Sequence, residues 1–459
     1  MQVIVLITFG FIFLAGLFRP GLAAATAILQ FAVEQMLQGF VDYLRSTRIG
    51  LVLTNAVVLL IAVLCSIRTV VRIPRPFVGM GSPTFLLLTG LLAWSVFSLA
   101  WSPSKEKGMS SVVDNLPYMV LLLGVCGFLL HDLKTADSFC RSILVVSTVA
   151  TVFVLVNPEF VNRWGRLGFA IGFENERSNP LALGEMGGAA AITGLLLRDQ
   201  RGRSILFWNI MRLAGIGAGL ALSIQSGSRG QVLFAIAVAT AFFPVAAPVK
   251  DIRRFILTIL GLALLGGFTM VLMSTLLYGF EAERFSFNEI FYGQSSTQGR
   301  VQNVLVLATA WGKNPFFWMF GLGYYAFSDL YSAKTDPYSH VLLADSIFEL
   351  GIPGLTMFVG AVYFSIRSYI RLFWEVVDHP GARATAATLS ALTLYQLLLV
   401  NKQGYLWGAG TFYLLIAASG RLVARLPFEE FEPAAVSPED ADEGLQDPEQ
   451  ALTAAAAGT

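Results

Sequence analysis

Charge is scarce in this chain. Of 459 residues, 13% are Asp, Glu, Lys or Arg while 55% are hydrophobic, and the mean hydropathy is +0.67. An average soluble domain carries roughly a quarter charged residues, so this balance excludes a soluble multi-domain protein and points to an integral membrane protein. The net charge of +1 offers no electrostatic footprint for nucleic acid. Cysteine is nearly absent: Cys65 and Cys126 fall inside apolar runs and Cys140 lies beside another, which excludes a disulfide framework and any metal-like spacing. There are 3 histidines, with no H-x-x-H or H-E-x-x-H, and the D-x-D at Asp440 to Asp442 sits in an acidic tail, so metal-dependent chemistry is not expected. No Walker loop or dinucleotide fingerprint occurs, so no cofactor is expected and energy must arrive in an already activated donor. The G-x-G at 321–323 lacks the flanking strand and helix of a nucleotide site and reads as a turn. The first residues lack a basic leader and an A-x-A cleavage site, the pattern of a retained signal anchor.

What the chain has instead is long apolar runs. About twelve are long enough to cross roughly 30 Å of hydrocarbon: near 2–18, 50–67, 83–101, 116–131, 139–157, 179–197, 213–228, 230–247, 255–275, 343–365, 382–400 and 405–420. The expected fold is therefore an all-α polytopic membrane protein. Residues 21–41 differ: Gln30, Glu34, Gln35 and Gln38 oppose an apolar face of Val33, Met36, Leu37, Phe40, Val41 and Leu44, which predicts an amphipathic helix lying in the membrane interface. Whether this segment crosses the membrane is left open by its pattern.

Lysine and arginine in the short loops give the orientation. Arg68, Arg72 and Arg75 start the count inside, and alternation then places Lys134, Arg198, Arg201, Arg203, Lys250, Arg253, Arg254, Arg367, Arg371, Arg421 and Arg425 inside as well. The expected division is a transmembrane domain at 1–427 and a cytoplasmic tail at 428–459, acidic and without basic residues, read as disordered. One large loop, about 277–342, falls on the outer side; it is rich in aromatics, with a helical apolar stretch around Val301 to Trp311.

Against this bias, Arg163, Arg166, Arg177, Arg229, Arg284 and Arg300 fall outside, several of them beside glycine, as in GRLG, SGSRG and QGRV. Guanidinium forks bind phosphate oxygens bidentately, and glycine lets backbone N–H groups approach. At a membrane surface the fitting large anion is a diphosphate on a lipid carrier. The competing reading is pairing with headgroups or with Glu174, Glu176, Glu185 and Glu283. His131 and His379 fall in inner loops, whereas His340 sits where the large loop enters the next span, placed to accept a proton from a sugar hydroxyl. Asp345 and Glu349 follow it on one helical face; Glu349 is placed either to orient His340 or to serve helix packing.

In order and spacing, R-L-G at 166, N-P at 179–180, S-G-S-R-G at 226–230, Arg300 leading a helix, N-P-F-F-W-M-F-G-L-G-Y at 314–324, and S-H followed by E-L-G-I-P-G at 349–354 resemble the O-antigen ligase and O-antigen polymerase family over about Phe85 to Gly410. The resemblance implies a GT-C-like helical bundle in the bacterial inner membrane with a site facing the periplasm. It implies metal-independent transfer of a glycan from undecaprenyl diphosphate to lipid A-core, to a growing glycan or, in some branches, to protein. Carried over, Arg229 and Arg300 grip the diphosphate, His340 activates or positions the acceptor hydroxyl, and Arg166 or Arg177 fills an earlier arginine position. The chain departs from the family where it has Val341 after His340 and Leu181 after Asn179 and Pro180, in place of asparagines. Ligase and polymerase stay undivided at this level. A glycolipid flippase or transporter of the polysaccharide pathway is the alternative, expected to show internal repeats and polar groups at the midplane.

Overall fold

A computed structural model of the chain describes residues 1–157, 160, 166–167, 170–171, 176–177, 181–198, 205–247, 252–277, 294–330 and 338–428. Arg163, Arg284, Asn179, Pro180 and the acidic tail from 429 lie outside these residues.

The architecture is helical: α1 (Gln2–Gly16), α2 (Pro20–Ile28), α3 (Gln30–Phe40), α4 (Asp42–Ser46), α5 (Arg48–Arg72), α6 (Pro83–Ser98), α7 (Lys105–Met119), a π-helical turn and α8 (Cys126–Leu129), α9 (Leu133–Leu155), α10 (Leu181–Leu196), α11 (Ile205–Gln225), α12 (Arg229–Ala246), α13 (Ile252–Leu276), α14 (Gln294–Trp311), α15 (Pro315–Phe320), α16 (Gly351–Glu375), α17 (Pro380–Gln403) and α18 (Gly410–Arg425). A two-residue antiparallel pair, β1 (Ala170–Ile171) with β2 (Glu176–Arg177), is the departure from an all-α chain among the described residues. Each of the apolar runs falls on a helix. Six helices, Val52–Arg72, Lys105–Leu129, Leu133–Leu155, Ile205–Gln225, Arg229–Ala246 and Pro380–Gln403, are long and apolar enough to cross a membrane, so the chain is a multi-pass membrane protein.

Without a hydrophobic drive between helices in lipid, close packing comes from small side chains. α10 and α11 show this. Gly187 and Gly219 face each other so closely that a methyl group on either would strike the other's carbonyl, and Gly194 lies against the Arg212 carbonyl. Gly215, Gly219 and Ser223 recur every fourth residue, so the seam continues along α11 to its C-terminal end. α9, α10, α12 and α17 complete this core with Phe139, Ile192, Leu392 and Tyr395.

The segment at 21–41 is not one interfacial helix. It breaks at Leu29 into α2 and α3, and the apolar face of α3 packs on protein: Val33, Met36, Leu37, Phe40, Val41 and Leu44 are buried with Val5 and Phe9 of α1 and Val146 and Ala150 of α9. Its polar face is also used internally, because Asn55 Nδ2 of α5 donates to Glu34 Oε2 at 3.0 Å. An amphipathic stripe reports that one face is buried, and protein serves as well as lipid.

The bundle has two chemically distinct ends. At one, Arg421 donates to the Pro76 carbonyl, Arg425 to the Arg75 carbonyl, and Thr385 to Asp137. The other gathers the C-terminal ends of α6, α11 and α17 with the N-terminal ends of α7, α10, α12 and α18.

Candidate active site

Between α11 and α12 runs the stretch SIQSGSRGQ, in which Ser223, Gln225, Ser226, Ser228 and Gln231 are all buried. Buried polar groups require partners, and here they build a turn. Ser223 Oγ donates to the Gly184 carbonyl at 2.9 Å, Ser226 Oγ to the Ser223 carbonyl at 2.7 Å, and Gln231 Nε2 to the Leu181 carbonyl at 2.8 Å. Gly227 reverses the chain at φ 72°, a left-handed conformation that glycine adopts without penalty. α12 then opens on Arg229, half-buried, where the partial positive charge of a helix N-terminus adds to its own.

Two more cations touch this turn, and a third lies within electrostatic reach of Arg229. The Leu167 N–H donates to the Gln225 carbonyl at 2.8 Å, laying residues 166–167 along the turn, and the Arg166 side chain lies over Gly227, its Nε 2.6 Å from where a β-carbon would sit. Arg300, on the first turns of α14, is half-buried; burial and then the charge of Arg229 push its pKa below the ordinary arginine value. Lys402, at the end of α17, extends across Gly230 and donates from Nζ to Ser228 Oγ at 2.6 Å. Arg166, Arg229 and Arg300 were expected from the sequence; Lys402 was not. Its one signal is a lysine ending an apolar run on the side where cations are rare. Arg177 lies in β2, and its side chain is outside the described residues.

His340 is carried on a pinned strap. Its φ of 64° is left-handed, a region in which histidine is enriched among non-glycine residues. Beneath it Ser339 is fully buried: its Oγ donates to Asp345 Oδ1 and accepts from the Val341 N–H at 3.1 Å, while its carbonyl accepts from Asn303 Nδ2 at 3.5 Å. Asn303 is one helical turn beyond Arg300 on α14. On the other flank the Leu343 N–H donates to Asn401 Oδ1 at 2.9 Å, beside Lys402. The His340 ring meets Tyr338 edge-on at 4.6 Å, and Tyr338 stacks on Tyr405 at 4.6 Å. His340 is thus tied through α14 to the helix of Arg300 and through α17 to the helix of Lys402.

Of the two roles open to Glu349, orienting His340 or serving packing, its hydrogen bonds point to packing. Its Oε2 accepts from the Tyr325 N–H and its Oε1 from the Phe327 N–H, both at 3.0 Å, so the carboxylate orders the turn at 321–327. The carboxylate that holds the histidine strap is Asp345, through Ser339. As expected, G-x-G forms a turn: Gly321 and Gly323 have φ 78° and 93°, and the N–H groups of Leu322 and Gly323 donate to the carbonyls of Phe348 and Glu349, each at 2.9 Å. Gly351, at φ 69°, packs on Gly321 so tightly that neither admits a β-carbon. The two motifs FGLGYYAF and ELGIPG therefore form one interlocked unit, fastened to α6 by Ser98 Oγ accepting from the Tyr324 N–H at 2.9 Å.

Among the described residues no three His, Cys, Asp or Glu side chains group as metal ligands. No family model and no curated protein matches the chain. A solved structure described as "Structural coordination of polymerization and crosslinking by a peptidoglycan synthase complex" is 15% identical, with a TM-score of 0.43, over 76% of this chain and 98% of that one. A likeness that remote bears on neither the site nor its chemistry.

Proposed function

We propose that the protein is a membrane glycosyltransferase that moves a glycan from undecaprenyl diphosphate to a sugar acceptor, lipid A-core or a growing glycan, at the periplasmic face of the inner membrane. One observation carries the reading. Four cations, Arg166, Arg229, Arg300 and Lys402, surround a buried polar turn, and a histidine strap is tied to the same helices. Guanidinium and ammonium donors set around a glycine-containing turn suit phosphate oxygens, and a diphosphate with a lipid tail is the large anion available at that depth.

The acceptor hydroxyl oxygen attacks the anomeric carbon as the bond from that carbon to the diphosphate oxygen breaks. The bonding pair leaves as negative charge on the lipid diphosphate, where Arg229 and Arg300 stabilise it most as it develops. His340 takes the hydroxyl proton. Direct single attack inverts the anomeric carbon.

The test uses full-length protein in nanodiscs with undecaprenyl-diphosphate glycan and a candidate acceptor. Arg229→Ala, Arg300→Ala and His340→Ala are each expected to lower kcat by about 10²- to 10³-fold, the usual loss for a group acting on transition-state charge or proton transfer. Turnover surviving all three, or lipid translocation with no new glycosidic bond, would overturn the proposal.

A further inference from the structure

Inside the bundle lies a cavity of about 110 Å³ between α3, α7, α10, α17 and the turn at 406–408. Its lining is unusual for the interior of a membrane protein. Phe31, Tyr118 and Trp407 supply aromatic surface, and Asn115, Glu185 and Gln396 supply hydrogen-bonding groups. A carboxylate within a membrane bundle is costly and marks a functional position by default.

The polar groups are held and only partly used. Gln396 Nε2 donates to Glu185 Oε1 at 2.7 Å, leaving Oε2 without a partner among the described residues. Asn115 is fixed by donating from Nδ2 to the Ser111 carbonyl at 2.8 Å. The Tyr118 hydroxyl accepts from Asn55 Nδ2 at 3.3 Å, and its ring packs on Phe31 at 4.8 Å. Trp407 is set by its Nε1 donating to Ser95 Oγ at 2.9 Å. Fixed aromatic faces beside preorganised amide and carboxylate groups are what a pyranose ring needs, with its apolar C–H face and ring of hydroxyls.

Size and connection fit as well. The cavity is several times the roughly 10–15 Å³ that a single water needs, so it has room for more than solvent. It also communicates with the strap: Asn115 Oδ1 accepts from the Tyr405 hydroxyl at 3.0 Å, Tyr405 stacks on Tyr338, and Tyr338 packs on His340.

We infer that this cavity is a subsite for an uncharged pyranose of the acceptor, neutral or N-acetylated. With no Lys or Arg among the described residues of its wall, the cavity would bury a uronate without a counter-charge, which disfavours a uronic acid. The inference rests on the glycosyltransferase reading and adds the acceptor class to it.

Calorimetric titration of the full-length protein in nanodiscs with methyl glycosides of glucose, galactose and N-acetylglucosamine, and with glucuronic acid, tests it. Saturable binding of at least one uncharged glycoside is expected, at least tenfold tighter than the uronate. Glu185→Ala and the cavity-filling Ala182→Leu should each weaken it at least tenfold, whereas Arg229→Ala should leave it intact. Absence of sugar binding in a wild-type sample that transfers glycan would overturn the subsite, and so would an affinity unchanged in both cavity variants. Binding through this pocket by a protein that never forms a glycosidic bond would instead overturn the proposed function and leave the subsite standing.

Discussion

Replacing Glu349 separates two roles for one carboxylate. Glu349 is 4% exposed and accepts two backbone N–H groups at 3.0 Å, from Tyr325 and from Phe327, itself fully buried. A buried N–H left without its acceptor costs about 1–3 kcal/mol. Against this, Glu349→Ala relieves the burial of a carboxyl group beside Asp345. The net loss is about 2–4 kcal/mol, or a melting temperature lower by about 2–8 °C at the ~1–2 °C per kcal/mol that extrapolates to a chain of this length. Glu349→Gln keeps one carbonyl acceptor but points an amide N–H₂ at a backbone N–H, so about half that loss is expected. The assay is a fluorescence melt in nanodiscs beside a pH–rate profile of transfer. Because the carboxylate contacts the 321–327 turn, the pH profile should keep its midpoint in Glu349→Gln even as stability falls. An unchanged melt with a midpoint displaced by about one unit or more would return Glu349 to the histidine and refute the assignment of its bonds.

Lys402→Met keeps the apolar stem across Gly230 but removes the charge and the bond to Ser228. The expected result is a donor KM raised by about tenfold, the equivalent of about 1.4 kcal/mol, with a smaller change in kcat; equal kinetics with wild type would exclude Lys402 from the diphosphate site. At the opposite end of the bundle, burial pushes the Asp132 pKa up, but the hydrogen bond and charge of His131 and the bonds from the Thr135 amide and hydroxyl outweigh it and hold the pKa at about 2. A depressed carboxylate pKa stabilises the fold above its unfolded value near 4 and loses that contribution as pH falls toward 2. Because the side chain is 29% exposed, about 1 kcal/mol after solvent screening is expected. Melts from pH 5 down to pH 2 should therefore lose a small increment that Asp132→Ala lacks throughout; an identical acid dependence in both proteins would refute it.

Class and helix positions were legible in the sequence because they are local. An apolar run of about twenty residues needs its own backbone hydrogen bonds and becomes a helix wherever it packs, so each run falls on one. The turn at the G-x-G of 321–323 was legible for the same reason. Interfacial placement of residues 21–41 was not, because a stripe of Val33, Met36, Leu37 and Phe40 states that a face is buried and not what buries it. The role of Glu349 stayed open in the sequence because helical spacing places it near the histidine strap, while its hydrogen bonds go to amides on another loop.

Composition alone determined that this chain lives in a membrane, that its cations are few, and that an arginine opening α12 needs a reason. Only the tertiary structure decided that Arg166, Arg300 and Lys402 converge on that arginine's turn from three other segments, and that Glu185 and Gln396 meet inside the bundle. The physical reason is range: hydropathy and turn chemistry act within a few residues, whereas the close seam of Gly187 and Gly219 and the buried serine turn set how distant helices sit beside one another.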